Sequence, residues 1–307
     1  MKIVSLFSGA GGLDLGLIQA GHKIIWANDI DADSCETYKL NIGDHIACTD
    51  ISKIKLEEIP DCDVVVGGFP CQGFSMANML RASDDDRNKL YKHFYKIINN
   101  KKPIYFLAEN VRGILSLDNG NIIKQIVNDF SDAGYRVKYK SFNTADFGVP
   151  QTRVRVIIAG TRKDLPEEKD FQFPDPTHTK ANWVSIAKVL EGIPEPEESE
   201  SKLKNHVYSK YKITNRNFTG HRETDPNKPS PTILARGNGK GGVCAIQHPR
   251  NHRRMSVRES ALVQTFPITF EFVGSMGSMY RQVGNAVPVL FGLYLGEKLK
   301  QLELILA

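Results

Sequence analysis

Apolar residues follow two alternating rhythms through the first half of the chain. Short runs at 3–7 (IVSLF), 23–27 (KIIWA), 64–66 (VVV), 104–108 (IYFLA) and 154–159 (VRVIIA) predict strands, the unbroken ones buried on both faces. Between them, apolar positions at helical spacing predict helices over 13–20, closed by Gly21, over 30–40 and over 121–130. In the last of these, Ile122, Ile123, Ile126, Val127 and Phe130 form the stripe. Alternation of this kind predicts an α/β fold, a Rossmann-like, mostly parallel sheet with helices on both faces.

The rhythm is lost after Gly160. Residues 166–176 are rich in proline and charge, and 191–200 (EGIPEPEESE) read as an acidic linker. Few helical patterns stand out over 177–267, which predicts a loop-rich second unit. Helical spacing returns at 287–304, so a last helix should pack back on the first unit. The expected division is therefore 1–164 together with 278–307, around a smaller unit at 165–277.

Charge adds to this picture. The whole chain carries only +5, yet residues 201–258 hold thirteen Lys and Arg against Glu223 and Asp225, a local excess of +11. With Tyr208, Tyr211 and Phe218 interleaved, that block reads as a surface for a polyanion. A solvated charged face normally carries acidic partners, and here they are scarce. No apolar run reaches the roughly 20 residues needed to span a bilayer, and the apolar start is cut by Ser8, Gly9, Gly11, Gly12 and Asp14. The expectation is a cytoplasmic protein with no membrane partner. Five cysteines without CxxC spacing argue against a disulfide framework and a cysteine-rich metal site, so no metal is expected.

Candidate chemistry gathers where strands end. The first strand runs into Phe7-Ser8-Gly9-Ala10-Gly11-Gly12 and then a helix, a turn that brings backbone close to a ligand. It is not a complete GxGxxG, because Asp14 stands at the third glycine position. Asp29 closes the second strand about 20 residues on, where a carboxylate holds ribose hydroxyls. Asp50 ends the third strand region and suits a purine-like amino group. A packing turn with an exposed acid is the plainer alternative for the glycine loop alone. The apolar run at 64–66 leads into GGFPCQGFS, which places Cys71 between a proline and a glutamine. Either an inert thiol or a nucleophile at the mouth of the sheet fits that position.

Six segments in order resemble the bacterial DNA (cytosine-5)-methyltransferases that use S-adenosylmethionine. They are Phe7 to Gly12, Gly68-Phe69-Pro70-Cys71-Gln72, Glu109-Asn110-Val111, Gln151-Thr152-Arg153-Val154-Arg155, Arg258-Glu259 through Gln264-Thr265-Phe266-Pro267, and Gln282-Val283-Gly284-Asn285-Ala286-Val287-Pro288. The unmatched span, 161–253, lies where that family keeps its variable target-recognition region.

The resemblance implies roles for particular positions. Cys71 is the nucleophile toward cytosine C6, Glu109 the acid at N3, Arg155 the contact to the base O2, and Arg153 a residue that orders the closed loop or a phosphate. Phe7, Ser8, Gly9, Ala10, Gly11, Gly12, Asp29, Ile30, Asp50, Ile51, Pro70, Asn285 and Ala286 hold the cofactor, with Asn285 opening the last helix. Gln72, Ser75, Arg87, Arg216, Arg222, Thr232, Arg236, Asn238 and Lys240 are candidates for duplex DNA. The other cysteines are expected to be inert. A monomer is implied, as the protective enzyme of a restriction–modification system whose endonuclease acts on the same DNA site without binding the enzyme. Three positions depart from the family pattern: Asn88 in the stretch read as the catalytic loop, and Leu262 and Thr265, which replace an arginine and a glycine. A tRNA cytosine methyltransferase and a non-catalytic DNA-binding relative share parts of the pattern.

Overall fold

The computed structural model describes residues 1–69, 86–196, 203–210, 221–235, 245–250 and 253–306. Its centre is a seven-stranded sheet in the order β3-β2-β1-β4-β5-β8-β6. The strands are β1 (Lys2–Leu6), β2 (Lys23–Asp29), β3 (Ile46–Cys48), β4 (Val64–Gly67), β5 (Tyr105–Val111), β6 (Tyr135–Asn143) and β8 (Val154–Arg162). All are parallel except β8, which runs against both neighbours. Short pieces β7 (Gln151–Thr152) and β10 (Ser230–Pro231) pair beside the sheet, as do β9 (His221–Arg222) and β11 (Ala245–Ile246).

The unbroken apolar runs are explained by two covered faces. Ile3, Val64, Val66, Tyr105, Leu107, Ile157 and Ala159 point into one core, which also holds Leu13 and Leu17 of α1 (Gly12–Gln19) and Tyr38 of α2 (Ala32–Asn41). Their neighbours Val4, Val65, Phe106, Ala108, Val156 and Ile158 point into the other, against α3 (Asp86–Lys101) and α4 (Asn121–Asp132). Alternate residues of one run thus feed opposite cores. The short α5 (Ile186–Val189) joins a third core, with Ile233, Ile246 and the helices α6 (Val257–Val263) and α7 (Met276–Asn285).

The last helix, α8 (Val289–Leu306), lies on α1 and delivers Phe291, Leu295, Leu299 and Leu302 to the first core. The contact is close because of Gly16, whose missing Cβ would meet Val289 O at 2.3 Å and Leu293 N at 2.5 Å. Backbone atoms cannot step aside as a flexible side chain can. Gly16→Ala is therefore expected to lose roughly 3 kcal/mol of stability by separating the helices, measured by denaturant unfolding.

Several elements differ from expectation. Asn285 ends α7 and does not open the last helix; the chain breaks at residues 286–288 before α8 begins. Helix α7 also runs through position 278, so the boundary expected there divides a continuous helix. Asn88, in the stretch read as the catalytic loop, stands in the helix α3. Strand β6 went unpredicted because it is polar along most of its length (YRVKYKSFN), as an edge strand is. Thr265 does occupy a glycine-like backbone, at φ 63°. Its Oγ1 donates to Gln264 O at 2.7 Å and accepts from Leu290 N at 2.9 Å, local bonds that favour an otherwise costly conformation.

Candidate active site

Strand order reverses between β1 and β4, and ligands of open α/β sheets gather at the carboxyl ends beside such a switch. The first strand ends there in strained backbone. Phe7 has φ 56°, and Gly9 and Gly11 also take positive φ before α1 begins. A non-glycine residue held in that region marks a place where surrounding structure overrides local cost. Asp29, at the end of β2, pins the loop by accepting from Gly9 N at 2.7 Å and from Asp31 N at 2.9 Å. Burial pushes its carboxyl above the usual carboxylate range.

Neighbouring candidates differ in how they face the loop. Ile30 is 69% exposed, an apolar side chain bare beside a carboxylate. Asp50 accepts from Ser52 N at 2.9 Å, and that bond holds its carboxyl below the usual range. Ile51 and Ala10 are buried in separate cores, so their side chains pack away from solvent. From the far end of the chain, Ala286 and Val287 lie against Gly12: a Cβ there would meet Val287 O at 2.4 Å and Ala286 Cβ at 3.2 Å. Asn285 is exposed beside them. The loop, Asp29, Ile30, Asp50 and the turn after α7 thus come from four separate parts of the sequence. Open backbone at Gly9, acceptors at Asp29 and Asp50 and an exposed aliphatic side chain suit S-adenosylmethionine, which carries an ammonium group, ribose hydroxyls and a flat purine.

Asp14 explains why the third glycine is absent. It is buried, and accepts from Ser5 Oγ at 2.7 Å and from Tyr38 OH at 2.9 Å, tying α1 to β1 and α2. Tyr38 OH lies 3.2 Å from His45 Nε2. Burial raises Asp14 from 3.8 to about 6, with the Asp29 charge adding to the effect against the two hydroxyl bonds. Since the folded chain keeps this proton longer than the unfolded one, the group's contribution to stability is full below the unfolded pKa and is lost as pH rises through about 6. Asp14→Asn stays neutral. Between about pH 5 and pH 7 it is expected to gain on the order of 1 kcal/mol relative to the parent, read from melting curves at both pH values.

The second strand pair brings in the acid. Glu109 lies within β5, and Arg155 of β8 is its diagonal neighbour across the antiparallel ladder. Their side chains form an ion pair at 2.7 Å, and Arg155 also donates to Val154 O at 2.8 Å. A Cβ on Gly68 would sit 3.0 Å from Glu109 Oε2, so the glycine after β4 lets the carboxyl lie against the backbone that leads to Cys71. Asn110 braces the same backbone. Its Nδ2 donates to Phe69 O at 3.0 Å and its Oδ1 accepts from Val111 N at 2.9 Å. Phe69 is itself buried between Tyr91 and Phe94.

Arg153 does not follow expectation. Its guanidinium is buried and donates to Ile233 O at 2.9 Å and Gly284 O at 3.0 Å. Burial, with the Arg155 charge alongside, lowers it to about 9 while Glu109 acts the other way. So placed, it joins Ile233 of the third core to the last turn of α7, while the loop it is expected to order lies outside the described residues. Gln151 and Gln264 extend this brace: Gln151 Nε2 donates to Gln264 Oε1, and Gln264 Nε2 donates to Val283 O. Both glutamines stand in the matched segments without a role there, and Ser5, Tyr38 and His45 were passed over, because nothing in their spacing announces a shared network.

Pro70, Cys71, Gln72, Ser75, Arg216, Arg236, Asn238, Lys240 and Cys244 lie outside the described residues, as do the side chains of Arg87 in α3 and Arg222 in β9. Thr232 is described, and its hydroxyl donates to Thr152 O at 2.7 Å. Three arginines of the basic block are turned inward. Arg258 is buried and donates to Lys204 O, Pro267 O and Phe270 O; Arg253 bonds Glu259 and Glu195; Arg254 stacks 3.6 Å from the Tyr280 ring. Three of its arginines therefore hold the third core together. Among the other thiols, burial raises Cys35 and brings Cys62 to about 12, as inert groups require, while Cys48 is exposed.

A mostly parallel sheet with one reversed strand, a glycine loop after β1 and a carboxylate after β2 defines a Rossmann-like methyltransferase. Residues 1–301 match the C-5 cytosine-specific DNA methylase family, and the chain belongs to it. It is a DNA (cytosine-5-)-methyltransferase. It is 40% identical over 315 residues to the Type II methyltransferase M.NgoFVII of Neisseria gonorrhoeae, covering 94% of this chain and 83% of that one. It is 37% identical over 328 residues to the Type II methyltransferase M.MthTI of Methanothermobacter thermautotrophicus, covering 98% and 97%. The crystal structure of S. pombe Dnmt2 methyltransferase superposes with a TM-score of 0.75 at 21% identity, over 98% of this chain and 99% of that one, a likeness of fold. Among the described residues no helix is long and apolar enough to cross a membrane.

Proposed function

We propose that the chain methylates C5 of one cytosine within a short duplex sequence, through a covalent Cys71–C6 adduct on a flipped-out base. The observation that carries this reading is the Glu109–Arg155 ion pair set against Gly68, beside the backbone that enters the Cys71 segment.

Cytosine C5 is a weak nucleophile. Addition of the Cys71 thiolate to C6 forms a C–S bond and moves the C5–C6 π electrons onto C5, while Glu109 delivers a proton to N3. Arg155 fixes the orientation of that carboxyl and, as the resemblance implies, contacts the base O2. When bound, S-adenosylmethionine supplies an electrophilic methyl group. Glu109 takes the N3 proton back, the C5 proton passes to water, and departure of the Cys71 thiolate restores the ring. The glycine loop, Asp29, Ile30, Asp50 and the Asn285–Ala286 turn hold the cofactor. Extruding the base costs roughly a few kcal/mol, and contacts from the second unit, 165–277, offset it and select the sequence. Arg216, Arg222, Arg236, Asn238 and Lys240 remain the candidates there, by position in the variable span, with Arg87 outside it in α3. The enzyme acts as a monomer and protects DNA from an endonuclease of the same specificity.

Incubation with S-adenosylmethionine carrying a labelled methyl group, with duplex DNA or with tRNA, tests the reading. Label is expected in duplex cytosines at one sequence, located by methylation-sensitive sequencing. Label in tRNA alone, or in neither, would contradict it.

A further inference from the structure

Two thiols that the proposed chemistry leaves unused meet beside the glycine loop. Cys48 closes β3, is exposed, and is the ladder partner of Asp29. It points to the same sheet face as Ile46, two residues before it. Ile46 and Cys35 share the first core, because α2 packs on that face. Cys35, in the first turn of α2, lies with its Sγ 3.6 Å from Asp29 O as donor, and the same carbonyl accepts from Thr49 N at 3.0 Å. One oxygen thus gathers the buried sulfur and the backbone that follows the exposed one. Burial pushes the Cys35 thiol up, and its hydrogen bond with Cys48 adds to the effect. Lys39, one turn along α2 from Cys35, pairs with Glu36 at 2.8 Å and brings a positive charge to both sulfurs.

The pair sits between the two candidate acceptors for the cofactor. Asp29 leads from β2 into the turn before α2, and Asp50 follows Cys48 by two positions. We propose that Cys35 and Cys48 form a reversible disulfide when a peroxide reaches Cys48, and that this bond lowers cofactor affinity by shifting Asp50 against Asp29. The bond rests on the thiol pair alone; its effect rests on the cofactor reading above. With hydrogen peroxide, the Cys48 sulfur attacks one oxygen, the O–O bond breaks, and Cys48 becomes a sulfenic acid while its thiol proton leaves in water. The Cys35 sulfur then attacks that of Cys48, the S–S bond forms, and the sulfenic hydroxyl leaves as water with the Cys35 proton. Two thiols are oxidised and one peroxide is reduced to two waters. Bonded sulfurs lie about 2.05 Å apart, well inside hydrogen-bonding separation, so the end of β3 is drawn toward α2. Asp50 moves with β3, while Gly9 N and Asp31 N hold Asp29.

Peptide mapping and calorimetry on the full chain carrying Cys71→Ser test this, since that change removes the proposed nucleophile as a competing thiol. After hydrogen peroxide, the tryptic peptides 24–39 and 40–53 are expected as one linked species that dithiothreitol separates. S-adenosylhomocysteine should bind the oxidised protein more weakly on the order of tenfold, the scale of one hydrogen bond to a charged group, and dithiothreitol should restore it. By linkage, saturating S-adenosylhomocysteine should raise the reduction potential of the pair by about 30 mV, the equivalent of tenfold. Cys48→Ser in the same background should bind as its parent does and ignore peroxide. Absence of the linked peptide, or a linked protein with unchanged affinity, would overturn the proposal. So would an equal loss in Cys48→Ser after peroxide, which would assign the effect to another oxidised group. Reduced protein that binds no S-adenosylhomocysteine would refute the cofactor reading and the proposed effect with it, whereas a missing linked peptide beside normal binding would refute the bond alone.

Discussion

Cys71→Ser is expected to bind S-adenosylhomocysteine as the parent does and to lose methyl transfer by about 10⁴-fold or more, the scale on which removal of a covalent nucleophile acts. Serine keeps nearly the same volume and a hydroxyl, so the segment after Phe69 retains its shape. It lacks an accessible anion at neutral pH, because its hydroxyl has neither a thiol's acidity nor a base beside it in this reading. Phe69 stays fixed between Tyr91 and Phe94 and bonded to Asn110, so the anchor of the segment is unaffected. Cofactor affinity and rate should therefore separate, as single-turnover rates and calorimetry on the same preparation would show. A serine variant within tenfold of the parent rate would remove Cys71 from the chemistry.

Glu109→Gln should be the next most damaging change, with a loss of about 10²–10⁴-fold in kcat, the range for removing a general acid. Glutamine fits beside Gly68 and still accepts from Arg155, but it has no proton to deliver to N3. If Glu109 only orients Arg155, glutamine should keep much of the rate and Glu109→Ala should lose it. If it moves the proton, both variants fail alike in kcat while cofactor affinity is unchanged. Rates of both variants under saturating DNA distinguish the two roles.

How much of this was legible beforehand depends on the kind of signal. The doubly buried strands were plain because runs such as Val64-Val65-Val66 need apolar company on both sides, and both cores supply it. The return of the last helix was legible from its spacing, and Gly16 explains how closely it lies on α1. The edge strand β6 was not, since an outermost strand carries charge where an inner one carries valine. At the site, the glycine loop and Asp29 stood out because backbone geometry restricts residue type there. The Glu109–Arg155 pair needed the register of β5 against β8, which spacing in one chain does not encode. The same blindness misplaced Arg153: an alternating pair of arginines reads as one functional face, yet one of them is buried as a brace between Ile233 and Gly284. Three arginines of the basic block misled for a related reason. Composition counts Arg253, Arg254 and Arg258 as surface charge, and folding draws them inside against carbonyls, carboxylates and a tyrosine ring.

Placing 5-fluorocytosine at the target position tests the central claim most directly, because fluorine cannot leave as a proton does and the thiol addition becomes irreversible. Incubated with S-adenosylmethionine, the enzyme should form a denaturation-resistant complex with that duplex, and peptide mapping should place the attachment at Cys71. Steady turnover on the unmodified duplex with no such complex on the fluorinated one would contradict it.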